Sequence, residues 1–238
     1  MENFKQLGIS PNFIKGLAEL NIVEPTEIQR EVIPLLLNDS IDLVGQAHTG
    51  TGKTAAYGLP LLHRINPKLA SVQALVLCPT RELSQQVKKQ LFKFTKYTEK
   101  IFCEAVFGGA QIEGQIRALS RPTHVLIATP GRLIDLVKRK AIDLNNVRTI
   151  VLDEADEMLS MGFKNELDEI LSFLASVESK WLFSATIPLE IKRIVDEHLS
   201  SGAHRIEISG RNVVNKNIIH QFVIADELEK LAVVLQFL

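Results

Sequence analysis

Two cysteines in 238 residues, Cys78 and Cys103, exclude a disulfide framework and a cysteine-based metal site, because no ligand spacing joins them. Cys78 closes the apolar run Ala74–Cys78 and reads as a reduced thiol in a buried strand, so the expected compartment is cytoplasmic. No apolar stretch approaches the roughly 20 residues of a membrane span, and no membrane role is expected. Met1-Glu2-Asn3-Phe4-Lys5 lacks the basic-then-apolar layout of a signal peptide. The net charge is -1, so there is no global positive field, and any nucleic acid must be held by a local patch. The six histidines show no ligand spacing, and neither an internal repeat nor a low-complexity tract is present. What is abundant is apolar content, 46%, enough for a sizeable core in one large α/β domain or two small ones.

Apolar runs of strand length recur at Asp42–Ala47, Ala74–Cys78, Ile101–Val106, His124–Ala128, Thr149–Leu152, Lys180–Phe183 and His204–Ile208. Between most of them lie segments with helical periodicity: Thr26–Leu37, Thr54–Ile65, Arg81–Tyr97, Ile112–Leu119, Arg132–Arg139, Asn165–Leu174 and Leu189–Leu199. Strands alternating with helices predict βαβ units and a mostly parallel sheet covered on both faces. The runs are continuously apolar, as strands of a doubly covered sheet must be. Residues 209–217 are polar and aperiodic and read as a linker. After it, 218–224 reads as a strand and 226–238 as a helix, the opening βα unit of a second domain.

Two segments carry chemistry. Ala47-His48-Thr49-Gly50-Thr51-Gly52-Lys53-Thr54 follows one strand and opens a helix. Gly50 and Gly52 let backbone amides approach phosphate oxygens, Lys53 offers a point charge, and the Thr54 hydroxyl can ligate Mg²⁺. The helix adds the positive end of its dipole. About a hundred residues on, Asp153-Glu154-Ala155-Asp156 ends the run Thr149–Leu152. Asp153 stands where phosphate-loop enzymes keep a magnesium-coordinating aspartate, and Glu154 is placed to activate a water as general base. Taken alone, acids after a strand also suit a helix N-terminus. Paired with the phosphate loop, they point to nucleotide hydrolysis.

Asp153–Asp156 spells the name of the DEAD-box RNA helicases, and the chain resembles that family along essentially its whole length. The family's other motifs follow in order: Pro25-Thr26-Glu27-Ile28-Gln29, Pro79-Thr80-Arg81-Glu82-Leu83, Gly108-Gly109, Thr129-Pro130-Gly131-Arg132 and Ser184-Ala185-Thr186. Asn21-Ile22 and Ser84 depart from its usual spelling without removing a group the chemistry needs. The resemblance implies a three-layer αβα RecA-like (P-loop NTPase) domain over 1–208 and ATP with Mg²⁺ at the site. Thr26, Gln29, Ala47, Thr49, Gly50, Thr51, Gly52, Lys53 and Thr54 would contact ATP, and Thr54 and Asp153 would hold the metal. Phe4 would stack on the adenine, or else anchor the N-terminal helix in the core.

The resemblance further implies RNA held by its backbone through Pro79, Thr80, Arg81, Gly108, Gly109, Thr129, Gly131 and Arg132. Either arginine could instead serve an intramolecular pair. Asp156, Ser184 and Thr186 would couple the nucleotide site to the RNA face, the latter two also being suited to cap a helix. Family members carry a second RecA-like domain whose motifs have no match here, so the chain reads as the first motor domain of an RNA-remodelling ATPase, a monomer of low activity alone. The alternatives are a nucleotide-gated RNA clamp and a DNA-directed helicase.

Overall fold

The structure, a computed structural model, describes residues 3–174, 177–208, 223–226 and 230–235. Helix α1 (Pro11–Ala18) begins with a proline in its first turn, where the fixed φ suits a helix start. Helix α2 (Glu27–Asn38) opens at Thr26, whose N–H donates to Gln29 Oε1 at 3.0 Å. Strands and helices then alternate: β1 (Leu43–Gln46), α3 (Lys53–His63), β2 (Ala74–Leu77), α4 (Arg81–Phe94), β3 (Cys103–Val106), α5 (Ile112–Leu119), β4 (Val125–Ala128) and α6 (Pro130–Lys138). There follow β5 (Thr149–Asp153), α7 (Ala155–Ser160), α8 (Lys164–Phe173), β6 (Ser179–Ser184), α9 (Leu189–His198), β7 (His204–Glu207) and α10 (Lys230–Leu235).

The seven strands form one sheet in the order β3-β4-β2-β5-β6-β1-β7, and every described pairing is parallel. The sequence pattern predicts a mostly parallel sheet; the described part is wholly so. From β1 through β2 to β3 the chain moves one way along the sheet, and from β3 onward it moves back. Right-handed crossovers therefore send α3 and α4 to one face and α5 to α9 to the other. Side chains divide accordingly. Ala74, Val76, Cys78, Val151, Trp181 and Phe183 enter a core under α1 to α4, while Leu75, Leu77, Ile150, Leu152 and Leu182 enter a second core on the opposite face. Reversal of direction opens crevices at the carboxyl ends of β1 and β2, whose helices leave on the face opposite to those of their neighbours.

Several polar side chains pin this frame. The buried Asp42 carboxylate accepts from Lys180 N–H and Ser200 N–H, both at 2.7 Å, joining the start of β1 to β6 and to the turn before β7. Arg64 donates to Leu36 O at 2.8 Å, to Asp39 O and to Ser179 Oγ at 3.0 Å, and lies 5.0 Å from the Trp181 ring. It thus satisfies the last carbonyls of α2, as a basic side chain at a helix C-terminus can. Gly16 allows α1 to meet α4 backbone to backbone: a Cβ there would stand 2.8 Å from Phe94 O.

The N-terminal segment is held to α3 through His63. Its Nε2 accepts from Ser10 N–H at 3.3 Å, so Nδ1 carries the proton and donates to Leu59 O at 2.9 Å. Burial holds the imidazole below its ordinary value, against the Leu59 hydrogen bond that raises it. An unfolded chain binds this proton more readily. The contribution to stability is therefore complete above the unfolded value of about 6.5 and is lost as pH falls below it. Urea unfolding should show a lower midpoint at about pH 5.5 than at about pH 7.5, and His63→Gln should remove part of that difference.

The sequence expectation sets no bounds for helices α1 and α7, and the other helix and strand positions agree with it to within a few residues. The expected linker at 209–217 lies outside the described residues, as does most of 218–224. Lys230–Leu235 falls within the expected terminal helix.

Candidate nucleotide and nucleic-acid sites

The phosphate loop leaves β1 at Gln46 and enters α3 at Lys53. Gly52 caps the helix at φ +92, a left-handed conformation that suits glycine. A Cβ there would also lie 2.3 Å from Gln29 Nε2. At Gly50 an added Cβ would meet nothing within 4 Å, so the loop backbone faces open space. Ala47 is buried, and its N–H donates to Ser184 O at 3.0 Å, tying the loop to β6. Thr51 Oγ1 donates to His48 O at 2.7 Å and tightens the turn, while Thr49 is exposed at its crest. Lys53 is 6% exposed, and its ammonium donates to Ala47 O at 2.8 Å.

Strand β5 delivers Asp153 beside this loop, with β6 between β5 and β1. Asp153 is 3% exposed, and its Oδ2 accepts from the Tyr57 hydroxyl at 2.8 Å. Burial pushes its carboxyl up to about 6, despite the Tyr57 hydrogen bond and the Lys53 charge, which both pull it down. Burial and the neighbouring Asp153 likewise raise the Tyr57 phenol well above its ordinary value. Glu154 follows in a left-handed conformation, φ 52 and ψ 53, which costs a non-glycine residue about 1–3 kcal/mol. Such strain persists where the surroundings impose it, and here it turns the chain from β5 into α7.

Gln29, Thr49, Gly50, Gly52, Lys53, Thr54, Asp153 and Glu154 line one cleft of about 550 Å³. The acceptor set offered by Thr54 and Asp153 is hard oxygen, which suits Mg²⁺. The loop's buried ammonium and open glycine backbone suit a polyphosphate. Both groups fit the residues present. Gln29 is 2% exposed, and both ends of its amide already bond backbone: Oε1 to Thr26 N–H, Nε2 to Gly52 O at 3.0 Å. It joins α2 to the phosphate loop.

Phe4 does not reach the cleft. It is 2% exposed and packed in the core under α1 to α4, so no ring face is free for stacking. Of the two roles open to it, the structure takes the anchor. The apolar wall of the cleft comes instead from Leu20, Ile22, Leu83 and Phe94.

A second group of residues gathers on the three adjacent strands β3, β4 and β2. Pro79 to Arg81 follow β2, Gly108 and Gly109 follow β3, and Thr129 to Arg132 follow β4. Thr80 caps α4, its hydroxyl accepting from Leu83 N–H at 3.2 Å. Ser84 Oγ donates back to Thr80 O at 2.8 Å. Gly108 N–H donates to Thr129 Oγ1 at 3.3 Å, and Arg132 Nη2 to Ala110 O at 3.0 Å. Arg81 stacks on Phe107, 5.0 Å from the ring centre. Gln115, which carries no signal in the sequence, clamps Phe107 from both sides: its Oε1 accepts from Phe107 N–H at 3.2 Å and its Nε2 donates to Phe107 O at 3.0 Å. The side chains of Pro79 and Thr129 are buried; Arg81, Gly108, Gly109 and Gly131 are exposed.

A short bridge joins the chain after β5 to the end of β6. Asp156 Oδ2 accepts from both Thr186 N–H at 2.9 Å and Thr186 Oγ1 at 2.8 Å, while Ser184 Oγ accepts from Asp156 N–H at 3.2 Å and donates to Thr186 O at 2.7 Å. Burial pushes the Asp156 carboxyl up, but the hydrogen bonds from Thr186 and Ser184 outweigh it and hold it below its ordinary value.

Fold and cleft together define a phosphate-loop α/β domain with a helicase-like set of loops at the carboxyl edge of its sheet. The model of the DEAD/DEAH box helicase family matches residues 26–194, and the chain belongs to that family. It is 41% identical over 227 residues to a DEAD-box ATP-dependent RNA helicase CshA of Streptococcus pneumoniae, covering 95% of this chain and 43% of that protein. It is 40% identical over 238 residues to a CshA of Bacillus cereus, covering 100% of this chain and 45% of that one. The chain thus spans less than half the length of these relatives. Among solved structures, a DEAD box protein from the hyperthermophile Methanococcus jannaschii superposes with a TM-score of 0.82 at 35% identity, over 99% of this chain and 62% of that one. A hypothetical ATP-dependent RNA helicase from Sulfolobus tokodaii gives 0.75, also at 35% identity, over 83% of this chain and 56% of that one.

Proposed function

We propose that this chain is the ATP-binding half of an RNA-remodelling motor, a reading carried by the convergence of Lys53, Thr54, Asp153 and Glu154 on one cleft. The relatives' description as ATP-dependent RNA helicases supports it. The loop amides around Gly50 and Gly52 would receive the phosphates, and the Lys53 ammonium would exchange its bond to Ala47 O for a phosphate oxygen. Mg²⁺ held by the Thr54 hydroxyl and the Asp153 carboxylate would neutralise charge on the terminal phosphates. Glu154 takes the proton of the attacking water. Thr26 and Gln29, joined to the loop at Gly52 O, would contact ATP from there.

RNA would be held through its phosphates by exposed glycine amides and by the helix starts at Thr80 and Thr129. Arg132 Nη1 is a buried donor with no hydrogen-bond partner among the described residues, next to the Gly108–Ala110 loop, and suits a phosphate oxygen there. Such contacts carry no base information, so binding should be sequence-tolerant and steeply salt-dependent. Because Gln115 fixes the loop that carries Gly108 and Gly109, Gln115→Ala should weaken single-stranded RNA on the order of tenfold. Fluorescence anisotropy with labelled RNA would measure this, and nucleotide binding should not change.

A second α/β domain, in the part of the relatives' length beyond this chain, would close over both ligands and supply charge to the transition state, an effect of roughly 10³ or more for an arginine finger. The test is steady-state ATP hydrolysis with and without single-stranded RNA, with Lys53→Ala as the blank. The chain alone should turn ATP over slowly and without response to RNA, whereas a protein of the relatives' full length should respond strongly. Robust duplex separation by the 238-residue chain alone would refute the reading.

A further inference from the structure

We infer that Tyr57 is a positioning residue for the metal site, holding the Asp153 carboxylate in the rotamer that receives the cation; this rests on the assignment of Asp153 and Thr54 as metal ligands. Lys53, Thr54 and Tyr57 are spaced so that Tyr57 lies one helical turn beyond the other two on the same face of α3. Its ring is fully buried and packs on Phe183, with centroids 5.3 Å apart. A phenol in such surroundings needs a hydrogen-bond partner. It donates to Asp153 Oδ2 at 2.8 Å. The hydroxyl therefore stands against the Asp153 carboxylate, one of the two assigned ligands. The carboxylate at the end of β5 is thereby tethered to α3.

Volume alone does not require this hydroxyl, because a phenyl ring would fill the same space against Phe183. What the hydroxyl adds is direction. With Oδ2 engaged, the remaining lone pairs of Asp153 are held in one orientation before the cation arrives. Outer partners of this kind tune metal affinity by about 10- to 100-fold.

The test is calorimetric titration of ADP into the chain, with and without Mg²⁺, for the parent, Tyr57→Phe and Asp153→Asn. Tyr57→Phe should bind metal-free ADP as the parent does, while the gain on adding Mg²⁺ shrinks about tenfold. Raising Mg²⁺ should restore the parent's ADP affinity, which a misfolded variant could not do. A full Mg²⁺ gain in Tyr57→Phe, with the gain lost in Asp153→Asn, would overturn the positioning role and leave the Asp153 assignment standing. A full gain in Asp153→Asn would remove the ligand assignment and the Tyr57 role with it. Loss of metal-free ADP binding in Tyr57→Phe would mean that the hydroxyl serves the fold, and would equally overturn the inference.

Discussion

Glu154→Gln, made in a protein of the relatives' full length, is expected to keep ATP and RNA affinity while turnover falls by a factor on the order of 10² to 10⁴. The change is isosteric, and an amide retains the hydrogen-bonding outline of the carboxylate but takes no proton from water. The backbone at this residue is already left-handed, at φ 52 and ψ 53, and glutamine tolerates that no worse than glutamate does. Loss of turnover would therefore report chemistry rather than folding. Single-turnover hydrolysis with bound RNA is the measurement, and retention of the parental rate would end the assignment of Glu154 as base. In the motor reading, blocked hydrolysis should also prolong RNA retention under ATP, whereas the clamp reading predicts retention indifferent to the substitution.

Asp42→Ala should be the most damaging single change to stability away from the cleft. The side chain is 6% exposed and accepts two backbone hydrogen bonds at 2.7 Å, from Lys180 and Ser200, with the Lys180 ammonium 3.9 Å away. Removing it strands two amides, one at the amino end of β6 and one in the turn before β7. Hydrogen bonds to a charged acceptor contribute about 1.5–3 kcal/mol each, so a loss of about 3–6 kcal/mol is expected. Urea unfolding followed by circular dichroism should show a lower midpoint at an unchanged slope. Asp42→Asn keeps one acceptor oxygen and should recover part of the loss.

Much of this molecule was legible because a sheet covered on both faces writes itself as unbroken apolar runs, and all seven strands stand where such runs occur. The phosphate loop was equally plain, since Gly50, Gly52 and Lys53 must lie between a strand and a helix to work. What escaped has local causes. Helix α7 has only six residues and begins in the acidic motif itself, too short for a period to show. Helix α1 is amphipathic in sequence but only eight residues long, too short for its period to set bounds, and its apolar face packs on α4. Phe4 and Tyr57 show the complementary difficulty. An aromatic residue in an apolar setting reads the same whether it fills the core, as Phe4 does, or carries a hydroxyl to a buried carboxylate, as Tyr57 does. Gln115 could not be found at all without coordinates, because its partner is the backbone of Phe107, to which any residue type contributes equally.

Glu154 caps helix α7 and Asp156 lies inside it, two residues on. At 1.5 Å of rise per residue the two are separated by only about 3 Å along the axis. No hinge can fit into so short a rod. Asp156 is in turn clasped by Ser184, the last residue of β6, and by Thr186 in the turn that leads to α9. That turn therefore sets the machining tolerance of the proposed base, although it lies outside the group of residues that would grip phosphate. An error of about 1 Å in such alignment can cost 10²-fold in rate. Wear in this part would register as a slow enzyme with an intact binding site.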